Sequence, residues 1–470
     1  MAGQVNATPG FDLQPSAQQI PTATNYITNF DFLNQYLPDT YEKEFERYGN
    51  RTVSSFLRMV GAEMPSNSDL IKWSEQGRLH TKYTNVTTTA LVGDDVATFT
   101  VADAGVPGTN PLVANADVSI AIRVGQTVMI SGATGSNKAI VTAVPTASSF
   151  TVAYYEAAGQ AFANAEVVSV FIYGSEFKKG TNGMQGSLEA DSSIFENSPI
   201  ILKDKYAVSG SDMAQIGWVE VTTENGANGY LWYLKSEHET RLRFDDYLET
   251  SMIEAVPMAN TNAINAAAAK GSEGIFYSVE NRGNVWGGGF PTSLLEWDSV
   301  VSRLDKQGAI EENVLFVDRD FGFGIDDMLA EQNSYGSGGS SYGLFDNDKD
   351  MALNLGFTGF RRGYDFYKSD WKYLNDPTMR GGLATGAVSG LLVPAGSTSV
   401  YDQVMGKNAK RPFLHVRYRA SETEDRRYKT WITGSAGGAQ TSDLDAMEVN
   451  FLSERAVCTL GANNFFLFQD

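Results

Sequence analysis

The chain has 470 residues, with 56 acidic side chains against 36 basic ones and a formal net charge of -20. Hydrophobic residues at 42% and aromatics at 11% supply enough apolar surface for a sizeable core, which excludes wholesale disorder, and the length suggests roughly three domain-sized units. The single cysteine, Cys458, excludes a disulfide scaffold, a redox pair and a thiolate zinc cluster, and the acidic balance argues against gripping nucleic acid as the main role.

Residues 1 to about 28 are rich in Gln, Asn, Thr, Ala and Pro and carry no periodic apolar pattern. They lack a basic n-region and an apolar h-region, so no signal peptide is expected. They read as an extended arm whose few apolar anchors are Phe11, Leu13, Ile20, Tyr26 and Ile27. That is too little surface to offset the ordering cost within one subunit, roughly 1–2 kcal/mol per residue. Two short helices follow in expectation. One covers Tyr41 to Tyr48 after the capping residues Asp39 and Thr40, and one covers Arg51 to Val60, with Val53, Phe56, Leu57 and Val60 on one face.

Composition changes from Thr84 to Tyr173. That stretch holds two basic residues, Arg123 and Lys138, and six acidic ones. Its β-type runs are Ala97–Val101, Val118–Arg123, Thr127–Ser131, Ala139–Val144, Ser149–Tyr154 and Val167–Tyr173, separated by turn signals such as Gly132-Ala133-Thr134-Gly135. The pattern is that of a small sandwich or barrel inserted into a larger fold. Tyr230 to Val256 is the strongest helical segment, stopped by Pro257. Leu231, Leu234, Leu242, Met252, Ile253 and Val256 share one face, and Glu237–Arg241 and Glu239–Arg243 are favourably ordered ion pairs. Beyond it the chain reads as α/β. Ser293 and Glu296 form a capping box for a helix closed by Gly308, Val314 to Val317 is a buried strand, and Ile325 to Glu331 is a further helix. Strands dominate to the C-terminus, ending in Glu448 to Leu460 and Asn464 to Phe468.

No catalytic constellation stands out. Gly339-Ser340-Ser341-Tyr342-Gly343 matches a GxSxG nucleophile elbow, but it lies in a Gly/Ser loop without a strong preceding strand. Asp346, Asp348 and Asp350 mimic the start of a calcium loop, yet Met351 replaces the required glycine and Phe357 the bidentate glutamate. His80, His238 and His415 are far apart and show no metal-binding spacing, and Cys458 reads as a buried small hydrophobe. No cofactor is expected. Arg426-Arg427-Tyr428-Lys429, with Arg417 and Arg419 nearby, is the densest basic patch. Glu422, Glu424 and Asp425 precede it, which favours an ion-pair network between subunits over nucleic-acid contact.

The order of parts resembles the major capsid proteins of tailed bacteriophages, built on the Hong Kong 97-like fold. Ser293–Asp327 is similar to that family's axial-domain helix and strand. Gly356–Asn375, Gly390–Tyr401 and the ending ERAVCTLGANNFFLF are similar to the shell proteins of crAss-like phages. The resemblance implies an α+β fold in six parts. Residues 1–50 are the N-terminal arm and first helix; 51–83 and 174–225 are the extended-loop region; 84–173 are the inserted β domain. Residues 226–289 are the peripheral domain with the spine helix, 290–410 the axial domain, and 411–470 the closing peripheral strands. It further implies a virion shell protein assembled in the bacterial host cytoplasm, not an enzyme. Its partners would be copies of itself in pentamers and hexamers, portal and decoration proteins, and packaged DNA held without sequence specificity, with no membrane. The arm anchors and Arg426 and Arg427 are then the candidate subunit contacts. Two other readings stand beside it: a carbohydrate-binding surface protein, prompted by the β module and the aromatics, and an esterase built on GxSxG.

Overall fold

The computed structural model describes residues 53, 56, 62–77, 80, 82–91, 96–101, 120–156, 162–187, 192–215, 220–222, 228–229, 231–259, 270–308, 310–334, 358–383, 385–402, 407–438 and 440–470. The arm, with Phe11, Leu13, Ile20, Tyr26 and Ile27, the Tyr41–Tyr48 helix, Gly339–Gly343 and Asp346 to Asp350 lie outside them. The chain divides into two compact α+β units. The larger comprises the described residues of Thr52–Lys203, Phe244–Thr430 and Phe451–Asp470, and the smaller those of Asp204–Arg243 and Trp431–Asn450.

In chain order the strands begin with β1 (Ala62–Ser66), β2 (Ile71–Gln76), β3 (Lys82–Leu91), β4 (Val96–Val101), β5 (Gln126–Ser131) and β6 (Ser136–Thr146). Next come β7 (Ser149–Tyr154), β8 (Val167–Ser175), β9 (Ser192–Asn197) and β10 (Ile200–Ser209). Strands β3 to β8 close into a barrel in the order β3-β4-β7-β6-β5-β8. Alternation explains its inside: Val86, Phe99, Val128, Ile130, Val141, Phe150, Val152, Val168 and Val170 point inward and fill the interior with one another. Five of the six expected β runs fall on these strands. Of the sixth, Val118–Arg123, the described residues 120–123 are not a strand: Ile120 and Ile122 do enter the barrel core, but Arg123 N donates to Gln126 Oε1 (2.8 Å), closing a turn. The sixth wall is β3, a threonine-rich run without the expected apolar alternation.

Helix α1 (Trp232–Glu254) is 23 residues long, about 34 Å at 1.5 Å per residue. Its buried face differs from the expected one. Phe244, Leu248, Met252 and Ile253 are buried, whereas Leu234 and Val256 are exposed. Asp246 and Glu249 are buried too, because Asp246 Oδ1 accepts from Val53 N and Glu249 Oε1 accepts from Phe56 N, both at 2.9 Å. Hydrophobicity alone gives no sign that two carboxylates belong on the inner face.

Helix α2 (Ile275–Arg282) leads into β11 (Asn284–Gly287), then α3 (Leu294–Gln307), β12 (Glu312–Val317) and α4 (Arg319–Ser334). The capping box of α3 forms: Glu296 N donates to Ser293 Oγ and Ser293 N donates to Glu296 Oε2. Gly308 ends the helix at φ +70°, a left-handed turn that suits glycine. Then follow β13 (Gly359–Arg362), β14 (Tyr364–Asp370), β15 (Val388–Pro394), β16 (Ser397–Asp402) and β17 (Lys407–Pro412). The last strands are β18 (Leu414–Arg419), β19 (Lys429–Gly434), β20 (Ala446–Thr459) and β21 (Phe466–Gln469).

A mixed sheet runs β11-β21-β15-β12-β14-β13. The strand period divides its residues between two cores. Leu315, Val317, Leu392, Phe466 and Phe468 face Trp297, Val300, Leu304, Phe321 and Ile325 of α3 and α4. Phe316, Leu391, Val393 and Leu467 face Phe56, Met252, Ile253, Phe276 and Trp371. The chain's final strand β21 therefore lies inside this sheet, between β11 and β15, and not with the closing strands. Strands β1, β18 and β20 form a second ladder, parallel between β1 and β18 and antiparallel between β18 and β20. In the smaller unit Lys205 of β10 pairs with Glu448 of β20 at 2.9 Å, and Thr433 Oγ1 of β19 donates to the same carboxylate.

Candidate subunit-contact surfaces

Strands β2 and β9 form a two-stranded antiparallel ladder, Ile71 opposite Asn197 and Gln76 opposite Ser192. Two strands alone are marginally stable in water, so the ladder needs an anchor. Asn197 provides it. Its buried amide donates from Nδ2 to the Val457 carbonyl (2.7 Å) and the Glu273 carbonyl (2.9 Å). Its Oδ1 accepts from Ser272 Oγ, Glu273 N and Ser198 N. Arg282 lies 4.4 Å from the Phe195 ring centre and pairs with Glu273 at 3.0 Å. Burial pushes the Glu273 carboxyl up from its usual range, and the Arg282 charge opposes that shift. Trp73 Nε1 donates to Glu75 Oε1, which also accepts from Gly461 N.

Above this anchored base the ladder leaves apolar side chains uncovered. Ile194 on β9 is 68% exposed, and Ile201 at the start of β10 is exposed as well. On the mixed-sheet region Leu295 of α3 is 77% and Phe323 of α4 56% exposed. Each of these ordered elements thus carries a large apolar side chain into solvent.

The basic patch closes on carboxylates of its own chain. Arg455, buried on β20, donates to Ser453 Oγ (2.9 Å), the Arg427 carbonyl (3.0 Å) and Glu63 Oε1 (3.4 Å). Glu63 also pairs with Arg427, Arg426 pairs with Glu454 (2.7 Å), and Lys429 pairs with Glu424 (2.9 Å). Of the acidic residues just before the patch, Glu424 takes part; Glu63 and Glu454 come from distant sequence. Burial lowers the Arg455 pKa, and Glu63 works against that shift. Arg427 keeps more than half of its side chain exposed beside the Tyr418 ring.

The histidines do not converge. His80 is exposed, His238 lies on α1, and His415 is buried on β18 with Nδ1 3.2 Å from the Pro412 carbonyl. Burial, with Arg417 nearby, lowers the His415 pKa to about 4. Cys458 is fully enclosed, and burial pushes its thiol up to about 12. Among the described residues no three His, Cys, Asp or Glu side chains are grouped to hold a metal ion, and no helix is long and apolar enough to cross a membrane.

No family model and no curated protein matches the sequence. Similar solved structures include a chain of Mycobacterium phage Ogopogo, at 9% identity and TM-score 0.41, covering 95% of this chain and 100% of that one. A chain of Microbacterium phage Oxtober96 is similar at 8% identity and TM-score 0.39, covering 93% and 97%. The capsid of a native GTA particle is similar at 7% identity and TM-score 0.36, covering 93% and 95%.

Proposed function

We propose that this chain is a shell-building structural subunit, the major capsid protein of a tailed bacteriophage, and not an enzyme. The observation that carries the reading is the set of apolar side chains left uncovered on separate, well-anchored elements: Ile194 and Ile201 by the ladder, Leu295 and Phe323 on the helices of the mixed-sheet region. A chain with a net charge of -20 resists indiscriminate association, so such surfaces serve defined, repeated contacts. Each contact is modest alone, and closed symmetry with many copies makes the assembly stable.

In this reading the arrangement is Hong Kong 97-like. The anchored ladder belongs to the extended loop of residues 51–83 and 174–225, α1 is the spine, and the barrel is an inserted domain. The arm of residues 1–50 orders by docking Phe11, Leu13, Ile20, Tyr26 and Ile27 on a neighbouring subunit, and the exposed part of Arg427, with Arg426, faces another copy. Pentamers and hexamers close into an icosahedral head with portal and decoration proteins, assembled in the host cytoplasm. Double-stranded DNA is held by confinement, without sequence specificity. The wording of residues 356–375 and 390–401 favours the crAss-like group. Electron microscopy of the purified protein tests the reading: shells or capsomers are expected, and monodisperse monomers at every concentration overturn it.

A further inference from the structure

The barrel interior is packed solid, so any ligand it takes must bind outside. One cleft of about 490 Å³ opens on that outer wall, lined by Thr127, Lys138, Tyr155, Glu156, Tyr173 and Glu176. Three features shape its wall. First, Thr127 pairs with Gly174, but Val128 pairs with Ile172, so Tyr173 is the extra residue of a β-bulge. A bulge re-aims a side chain, and here the Tyr173 ring stands 48% exposed. Second, Tyr155, 47% exposed, donates its hydroxyl to Glu176 Oε2 at 2.5 Å, which fixes a second ring in the same wall. Third, the Thr127 hydroxyl is buried in this wall with no hydrogen-bond partner. A Cβ on residue 174 would lie 3.1 Å from that hydroxyl, so a side chain at this position would crowd it.

We propose that this cleft binds a neutral saccharide. A pyranose has a face of C–H bonds that packs on the electron-rich face of an aromatic ring, and Tyr155 and Tyr173 offer two such rings. Its edge carries hydroxyls that donate to the Glu156 and Glu176 carboxylates and accept from Lys138. Two carboxylates against one lysine disfavour phosphorylated ligands, and these three charged side chains disfavour a lipid chain. The cleft volume suits one or two sugar rings, with the rest of a longer glycan in solvent.

The test is calorimetric titration of the full-length protein with maltohexaose, cellohexaose, mannohexaose and chitohexaose, each to about 10 mM. At least one is expected to bind with a Kd of about 1 mM or tighter. Tyr173→Ala weakens that binding about tenfold while the melting profile stays unchanged. Tyr155→Ala, which removes the second ring, and Glu176→Gln weaken it as well, so the result does not hang on one variant folding. Failure of all four sugars to bind, or a bound sugar held equally well by Tyr173→Ala and Glu176→Gln, overturns the proposal. Because the readout is sugar binding, it stands or falls independently of shell formation.

Discussion

The barrel and the mixed sheet each use six strands, and they solve the edge problem in opposite ways. The barrel closes on itself within residues 82–175, and one internal core satisfies all of its walls. The mixed sheet gathers strands from Asn284 to Gln469 and is covered by separate cores on its two faces. One draws on neighbours in sequence and carries few charges. The other depends on contacts made across hundreds of residues, and its half of the chain holds the buried charges and the buried histidine. Closure in a short segment makes a region self-sufficient; long-range assembly ties its integrity to the rest of the larger unit.

The sharpest way to break this contrast is to open a cavity in each region. Phe99→Ala in the barrel and Trp297→Ala under the mixed sheet should each cost about 3–5 kcal/mol. Calorimetry should show Phe99→Ala lowering one transition only, with particles still forming, whereas Trp297→Ala abolishes assembly. If Phe99→Ala lowers every transition together, the barrel is not an independent folding unit.

Acid should separate the regions next. His415 has its folded pKa depressed from about 6.5 to about 4, so the unfolded chain takes up the proton first as pH falls. Stability from keeping His415 neutral is complete above about pH 6.5 and declines below it, by about 2 kcal/mol on reaching pH 5. No histidine lies between Lys82 and Ser175, so the barrel transition should not move in that window. Melts at pH 7 and pH 5 check this, and His415→Gln should flatten the dependence.

A smaller effect probes the charge network. Glu63→Gln removes the carboxylate facing Arg455 and Arg427. Arg455 retains Ser453 and the Arg427 carbonyl, so the expected loss is about 1–2 kcal/mol in chemical denaturation of the larger unit. A loss confined to the barrel transition would contradict the assignment.

These differences also explain what was legible in the sequence. Local rules were readable: the Ser293–Glu296 box, Gly308, five barrel strands and the length of α1 each depend on residues a few positions apart. Strand β3 was missed because threonines occupy positions where alternation usually shows as apolar residues. The inner face of α1 was misplaced because Asp246 and Glu249 are buried on backbone N–H groups of Val53 and Phe56, 193 residues away. The Glu63–Arg455 contact, 392 residues apart, and the Asn197 anchor leave no local signature either. Sequence proximity of Arg426 and Arg427 to Glu422, Glu424 and Asp425 suggests an ion-pair network between subunits; within the chain, long-range topology pairs them with Glu454 and Glu63, and Arg426 also lies 3.9 Å from Glu424. The Tyr173 bulge depends on register, which no composition argument supplies.

The smallest effect on stability bears most directly on function. Ile194→Ser should change folding stability by no more than about 0.5 kcal/mol, because the side chain is exposed, and yet reduce particle yield. The direct measurement is thiol labelling of Ile194→Cys in free subunits and in sedimented particles. Cys458 is buried and stays unreactive, so the introduced thiol reports alone. The account predicts rapid labelling of the free subunit and strong protection in the particle. Equal labelling in both states, or the absence of any sedimenting particle, would contradict it.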